Sequence, residues 1–226
     1  KKTLIIASLC SGFLLFIASA MQQIGIKESN ASKAGFITAL YVIFVPIISI
    51  IFFKMKEGIR LWISVVLSVA GLFLLCIHEG FNLEYGDAIL LFCAFLFALQ
   101  IITVAHFVKK VDVLDLSIFQ FLVVAIFSSI VMIVVEKPSA DMIIKAMPAL
   151  LFVGIFSGAC GYTLQNVGQQ YVRPSIASLL MSLESVFSAI FAWIILGEML
   201  GSREMLGAIL MFSAIILAQL PIKGRE

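Results

Sequence analysis

The chain has 226 residues, 62% of them hydrophobic and 12% charged, with a mean hydropathy of +1.17 and a formal net charge of +2. That composition excludes an ordinary soluble globular domain, and so small a net charge gives no basis for nucleic-acid binding. Uncharged or nearly uncharged runs fall at 3–24, 34–53, 61–77, 87–108, 116–135, 147–167, 174–196 and 204–221. A bilayer core needs about 20 apolar residues per helical span, and backbone amides in lipid must bond within their own segment. The expected fold is therefore an all-α polytopic membrane protein of eight helices with short connections, whose solvent is the lipid bilayer.

The first run starts at Lys1-Lys2 and includes Ala18-Ser19-Ala20, an imitation of a signal-peptide cleavage site. It continues to Ile24, long enough to span, and is read as a membrane helix. Asn30-Ala31-Ser32 matches a glycosylation acceptor but hugs the membrane. The second span carries Tyr41 and Pro46, the fourth Gln100, Thr103 and His106, and the fifth Gln120. The sixth contains Gly154 and Gly158 as G-x-x-x-G, a spacing that predicts tight helix contact or, less directly, a homodimer seam. Tyr162, Gln165 and Asn166 follow. The seventh holds Glu184, and the eighth is nearly free of polar side chains. Trp62 and Trp193 suit interfacial anchors. Cys10, Cys76, Cys93 and Cys160 lie in or at the ends of spans with no C-x-x-C pair, so they read as small apolar packers.

With Lys1 and Lys2 inside and the spans alternating, the inner side collects Lys1, Lys2, Lys54, Lys56, Arg60, Lys109, Lys110, Arg173, Lys223 and Arg225. The outer side collects Lys27, Lys33, Lys137, Lys145 and Arg203. Ten against five obeys the positive-inside rule and puts the C-terminus in the cytoplasm.

Residues 34–75 align with 174–217: Pro46-Ile-Ile-Ser49 meets Ser185-Val-Phe-Ser188, and Gln22-Gln23-Ile24-Gly25 meets Gln165-Asn166-Val167-Gly168. Internal symmetry of this kind marks transporter folds built from repeats. Spans one to three match spans six to eight, while spans four and five have no upstream partner. The expected parent is a ten-helix protein of two inverted five-helix repeats. Its first repeat would contribute its last three helices as residues 1–80, and the second would be complete over 87–221. Two helices, roughly 60 residues, would then lie upstream.

The stretch from Ala34 to Pro46 and the stretch Leu183-Glu-Ser-Val-Phe-Ser-Ala-Ile-Phe-Ala-Trp-Ile-Ile-Leu-Gly-Glu198 resemble the two halves of an EamA-type transporter of the drug/metabolite transporter superfamily. The second stretch is similar to the family's Glu-Pro-Val-Phe core, apolar run and closing Gly-Glu, with Ser185 in place of the proline. The first keeps Pro46 but has Val45 in place of the acid, so a kink at this level is expected in the second span rather than the seventh. The resemblance implies helices around a central cavity, secondary transport of small metabolites, most often export, and no ATP site. It also implies a cell membrane, in a bacterium the cytoplasmic (inner) membrane.

Placed at about 100° per residue, span seven divides into two faces. Glu184, Ser178, Ser182, Ser185, Ser188 and several alanines share one side, and bulky apolar residues fill the other. Four serines with an acid exceed what close packing needs and suggest a cavity wall. Glu184 sits near the middle of the span, where an acid costs roughly 3 kcal/mol. It is either a structural acid bonded to a neighbouring helix or a cavity acid that exchanges a proton or holds an amino-bearing group. Tyr41, Gln100, Tyr162 and Gln165 are further cavity candidates.

The reading from sequence is a secondary transporter of small organic metabolites, an exporter, coupled to protons through Glu184. The alternatives are a nucleotide-sugar or sugar-phosphate carrier, which would want a Lys or Arg inside a span, and a non-transporting membrane assembly protein. Enzyme chemistry finds no support: the sequence has no H-E-x-x-H, no G-x-S-x-G and no intramembrane Asp pair. No catalytic residue, metal or cofactor is expected.

Overall fold

The computed structural model describes residues 1–29, 31–77, 84–196 and 201–220, and among these every regular element is helical. Among the described residues, eight helices are long and apolar enough to cross a membrane. They are α1 (Lys2–Lys27), α2 (Lys33–Phe53), α3 (Ile59–Cys76), α4 (Tyr85–Phe107), α5 (Val113–Glu136), α6 (Ala140–Gly168), α7 (Pro174–Ile195) and α8 (Ser202–Gln219). This is the polytopic helical fold that the composition requires. Asn30, His78, Glu79, Gly197, Glu198, Lys223 and Arg225 lie outside the described residues.

Local chemistry sets the helix ends. Asp112 caps α5, its Oδ1 accepting from the backbone N–H groups of Leu114 at 2.9 Å and Asp115 at 3.1 Å. Pro174 opens α7 at a first-turn position where its missing N–H costs nothing. The carboxylate of Glu204 accepts from Gly201 N–H at 2.6 Å ahead of α8. α6 starts at Ala140, well before its apolar run at 147. Ser139 Oγ caps it through Met142 N–H, and Asp141 pairs with Lys145 at 2.8 Å, so a polar turn extends the helix beyond the membrane-soluble stretch.

Two spans are interrupted. In α2 the helix runs Ala31–Ala39, pauses at Leu40 and resumes as Tyr41–Phe53. Pro46 lies inside the resumed part, so the interruption precedes it. In α7 the helix runs Pro174–Met181, turns at Ser182 and Leu183, and resumes as Glu184–Leu196. The expectation of a kink in the second span rather than the seventh is thus corrected: α7 breaks although Ser185 replaces the proline. The cause is a run of tightened i→i+3 bonds, Leu183 N–H to Leu180 O at 3.2 Å and Ser185 N–H to Ser182 O at 3.3 Å.

The chain forms two compact units, Lys1–Ala18 with Gln100–Val172, and Ser19–Leu99 with Arg173–Glu226. Each takes segments from both halves of the sequence repeat. In the first unit Ala7, Val104, Val108 and Leu116 form a buried cluster joining α1, α4 and α5. Phe13 and Phe16 pack on Phe127 with ring centroids 5.2 and 5.5 Å apart. The middle of α6 widens into a π-helical stretch, Val153–Tyr162, rich in glycine and small residues, before α-helix resumes at Thr163–Gly168.

In the second unit α3 and α8 pack along one another, with Leu72, Leu75 and Met211 in the core beside Val186 of α7. A Cβ on Gly71 would stand 2.6 Å from Gly207 O, and one on Gly207 would stand 2.6 Å from Gly71 O. This crossing admits no side chain. Gly154 and Gly158 behave otherwise: nothing lies within 4 Å of the first, and only its own helix's Val153 O lies near the second. The tight contact expected of G-x-x-x-G is not made within the described residues, because that face of α6 meets no neighbouring helix. The outward faces of both units carry large apolar side chains such as Ile133, Phe156, Val66 and Ile194, as a lipid solvent allows.

Candidate functional site

In the second unit the break in α7 organises the candidate residues. Before it, Ser175, Ser178 and Ser182 are buried. Ser175 Oγ donates to Glu57 Oε1 at 2.7 Å, and Ser178 Oγ donates to Ser175 O at 2.9 Å. Ser182 Oγ donates to Leu179 O at 2.7 Å and stands 3.2 Å from Ser68 Oγ of α3. After the break Glu184 and Ser188 are exposed, while Ser185 is half-buried and hydrogen-bonded to the Cys76 side chain. A single continuous face was expected. The tightened bonds at Leu183 and Ser185 rotate the chain beyond 100° per residue, so the buried serines and the exposed acid separate into two stretches.

Glu184 is the first residue of the resumed helix. An acid in a helix's first turn meets the positive end of the aligned peptide dipoles, a placement worth about 0.3–1 kcal/mol. The break therefore gives a local physical reason for a carboxylate at mid-span. Tyr41 is buried at the start of the resumed part of α2, which packs against the first part of α7. Pro46 is buried one turn further on.

The same unit contains an ion pair that the charge distribution only hinted at. Lys33 Nζ lies 2.6 Å from Asp87 Oδ2 and 4.0 Å from Glu84 Oε2. Asp87 is also held by Ser29 Oγ at 3.0 Å and by the Glu84 N–H at 2.8 Å. Its carboxylate, 2% exposed, fixes the start of α4 to the start of α2. The sequence signal was the meeting of Lys33 with Glu84 and Asp87 on one expected side of the membrane.

The remaining candidates belong to the first unit. Gln100 on α4 is fully buried, and neither its Nε2 nor its Oε1 has a partner among the described residues. Tyr162 is half-buried, edge-on to Phe121 with centroids 6.0 Å apart. Gln165 is half-buried, with its Nε2 unpartnered. Asn166 donates to Ser117 Oγ at 2.9 Å. His106 lies exposed with its Nε2 2.6 Å from Lys110 Nζ, in keeping with an interfacial histidine. Sequence reasoning passed over Gln169, which is as buried as Gln100 and equally unpartnered.

Among the described residues, eight apolar helices, two of them interrupted, with an acid at one interruption and buried amides elsewhere, define a polytopic membrane protein. The EamA-like transporter family matches residues 1–77 and 84–220. The chain belongs to that family, and with it to the drug/metabolite transporter superfamily: it is an integral membrane transporter. An Archaeoglobus fulgidus protein described as an uncharacterized transporter is 30% identical over 211 residues, covering 93% of this chain and 68% of its own length. A Methanothermobacter thermautotrophicus protein described in the same words is 22% identical over 207 residues, covering 89% of this chain and 60% of its own length. A solved crystal structure superposes with a TM-score of 0.79 over 96% of this chain and 86% of its own, at 14% identity, which speaks for the fold alone.

Proposed function

We propose that the chain works in secondary transport of small organic metabolites, in the direction of export, with Glu184 as the group that carries a proton or holds an amino-bearing substrate. The observation that carries this reading is the break at Ser182 and Leu183, which leaves Glu184 exposed at the head of Glu184–Leu196. Interrupted helices at mid-membrane are where transporters place polar groups, because unwound backbone and helix ends supply dipoles that a continuous helix hides. Ser185 and Ser188 extend that polar edge. Ser182, Tyr41, Gln100, Tyr162 and Gln165 are the supporting candidates.

In this proposal residues 1–80 and 87–221 are the two repeats, inserted with opposite orientation, and both chain ends face the cytoplasm of a cell bounded by its inner membrane. The open glycine face of α6 at Gly154 and Gly158 is the place for a homodimer contact.

The test is flux in proteoliposomes under an imposed pH gradient, with a mixture of radiolabelled amines and neutral metabolites. Glu184→Gln should abolish the dependence on the gradient or lower the rate at least tenfold. A wild-type rate with unchanged pH dependence would make Glu184 a structural acid and end the coupling proposal.

A further inference from the structure

The first unit holds buried amide side chains with no partner among the described residues. Gln100 and Gln120 are 0% exposed and Gln169 is 1% exposed, and neither amide atom of any of the three has a partner among the described residues. Asn166, 0% exposed, bonds Ser117 through Nδ2 but leaves its Oδ1 without a partner. Ser8 Oγ on α1 is buried and unpartnered as well. A carboxamide removed from water without a partner is costly, and so many in one unit demand a cause.

Helix register gathers them. Val104 of α4 and Leu116 of α5 belong to one buried cluster, and one turn farther from the loop joining these helices stand Gln100 and Gln120. The Asn166–Ser117 bond and the Phe121–Tyr162 ring contact lay the end of α6 along α5. Asn166 then falls about one turn from Gln120 toward that loop, and Gln169 another turn on, so the amides span roughly 9 Å. α1 closes in at the same level, since a Cβ on Gly12 would stand 2.7 Å from Gln120 O.

Every charged side chain of this unit is exposed. The amide cluster therefore offers donors and acceptors in pairs and no charge. An ion entering it would lose hydration without gaining a counter-charge, whereas a neutral group that both donates and accepts could satisfy several amides at once. We propose that the amide cluster is a binding site for an uncharged solute presenting N–H or O–H donors beside oxygen acceptors, a neutral amide or a polyhydroxy compound. The proposal requires no proton step at Glu184.

The test is equilibrium binding to the purified full chain in detergent, with no gradient, read by calorimetry and by the shift of the unfolding midpoint. The probes are N-acetylglycinamide and mannitol as neutral ligands, N-acetylglycinate as an anion and glycinamide as a cation. At least one neutral probe should bind saturably and raise the midpoint while the two ions do not, and the responding probe tells amide from polyol. Gln120→Leu and Gln169→Leu should each weaken that binding at least tenfold, with the ligand-free midpoint unchanged or higher, because an apolar group replaces an unsatisfied one. The proposal fails if neither neutral probe binds or if the ions bind as well. It also fails if the leucine variants unfold at lower temperature with binding intact, which would make the amides structural. Binding measured without flux fails or succeeds independently of transport through Glu184.

Discussion

A carboxylate within an apolar span is tolerable only where its surroundings replace water. Glu184 meets that condition in part by its place in the first turn of a resumed helix, where the aligned peptide dipoles present their positive end. Asp87 meets it by another route: the Lys33 ammonium at 2.6 Å, a serine hydroxyl and a backbone N–H surround it while it is 2% exposed. Removing Asp87 takes away the nearest carboxylate of Lys33 and leaves Glu84 at 4.0 Å. Asp87→Ala should therefore destabilise the protein by about 2–3 kcal/mol, near or below the lower bound for a buried pair because the Lys33 side chain keeps 14% exposure. Denaturant unfolding in detergent reads that loss. Replacing both partners, Asp87→Leu with Lys33→Met, should recover most of it. A single variant as stable as the wild type would mean that the pair adds nothing to the fold.

At the scale of the helix, glycines separate by what faces them. Gly71 and Gly207 each present their backbone to the other's carbonyl oxygen, so an added methyl at either must push main chain aside. Gly71→Ala and Gly207→Ala should each cost about 1–3 kcal/mol by overpacking. In the monomer, Gly154→Ala, with nothing among the described residues within 4 Å of the added Cβ, should be neutral or stabilising through helix propensity. A thermal-unfolding series in detergent distinguishes the three, and equal losses at all of them would refute the packing assignment. The G-x-x-x-G spacing drew attention to α6, while the close contact forms between single glycines on α3 and α8. Spacing reports which residues share a face of one helix, but not which helix comes to meet that face.

The same limit explains what the sequence told and withheld about α7. Its span was legible because apolar length alone defines a membrane helix. Its break was not, because Ser182-Leu183 carries neither proline nor glycine, and the i→i+3 bonds that tighten it leave no mark in composition. The two-faced reading at a fixed step then joined buried serines to an exposed acid. Among the amides, Gln100 and Gln120 were visible as polar residues in apolar runs. Gln169 was not, since it follows the span's end in a stretch that reads as interfacial.

For the whole molecule, orientation is the property that composition and topology decide jointly. If the eight candidate spans among the described residues all cross, their even number puts the start of α1 and the end of α8 on one side of the bilayer. With the spans alternating from an inner Lys1, the excess of Lys and Arg, ten against five, predicts the cytoplasm as that side. A fluorescent protein joined after Glu226 should therefore fold and fluoresce, while alkaline phosphatase at the same point should stay inactive. The bias rests partly on Lys54, Lys56 and Arg60 between α2 and α3. Replacing these three by glutamine leaves seven inner charges against five, and the weakened asymmetry should yield a mixed population with measurable phosphatase activity. Active phosphatase on the unaltered chain would reverse the assignment of every loop. It would put the Lys33–Asp87 pair on the cytoplasmic face and the loop between α4 and α5, toward which the amide cluster lies, on the outer one.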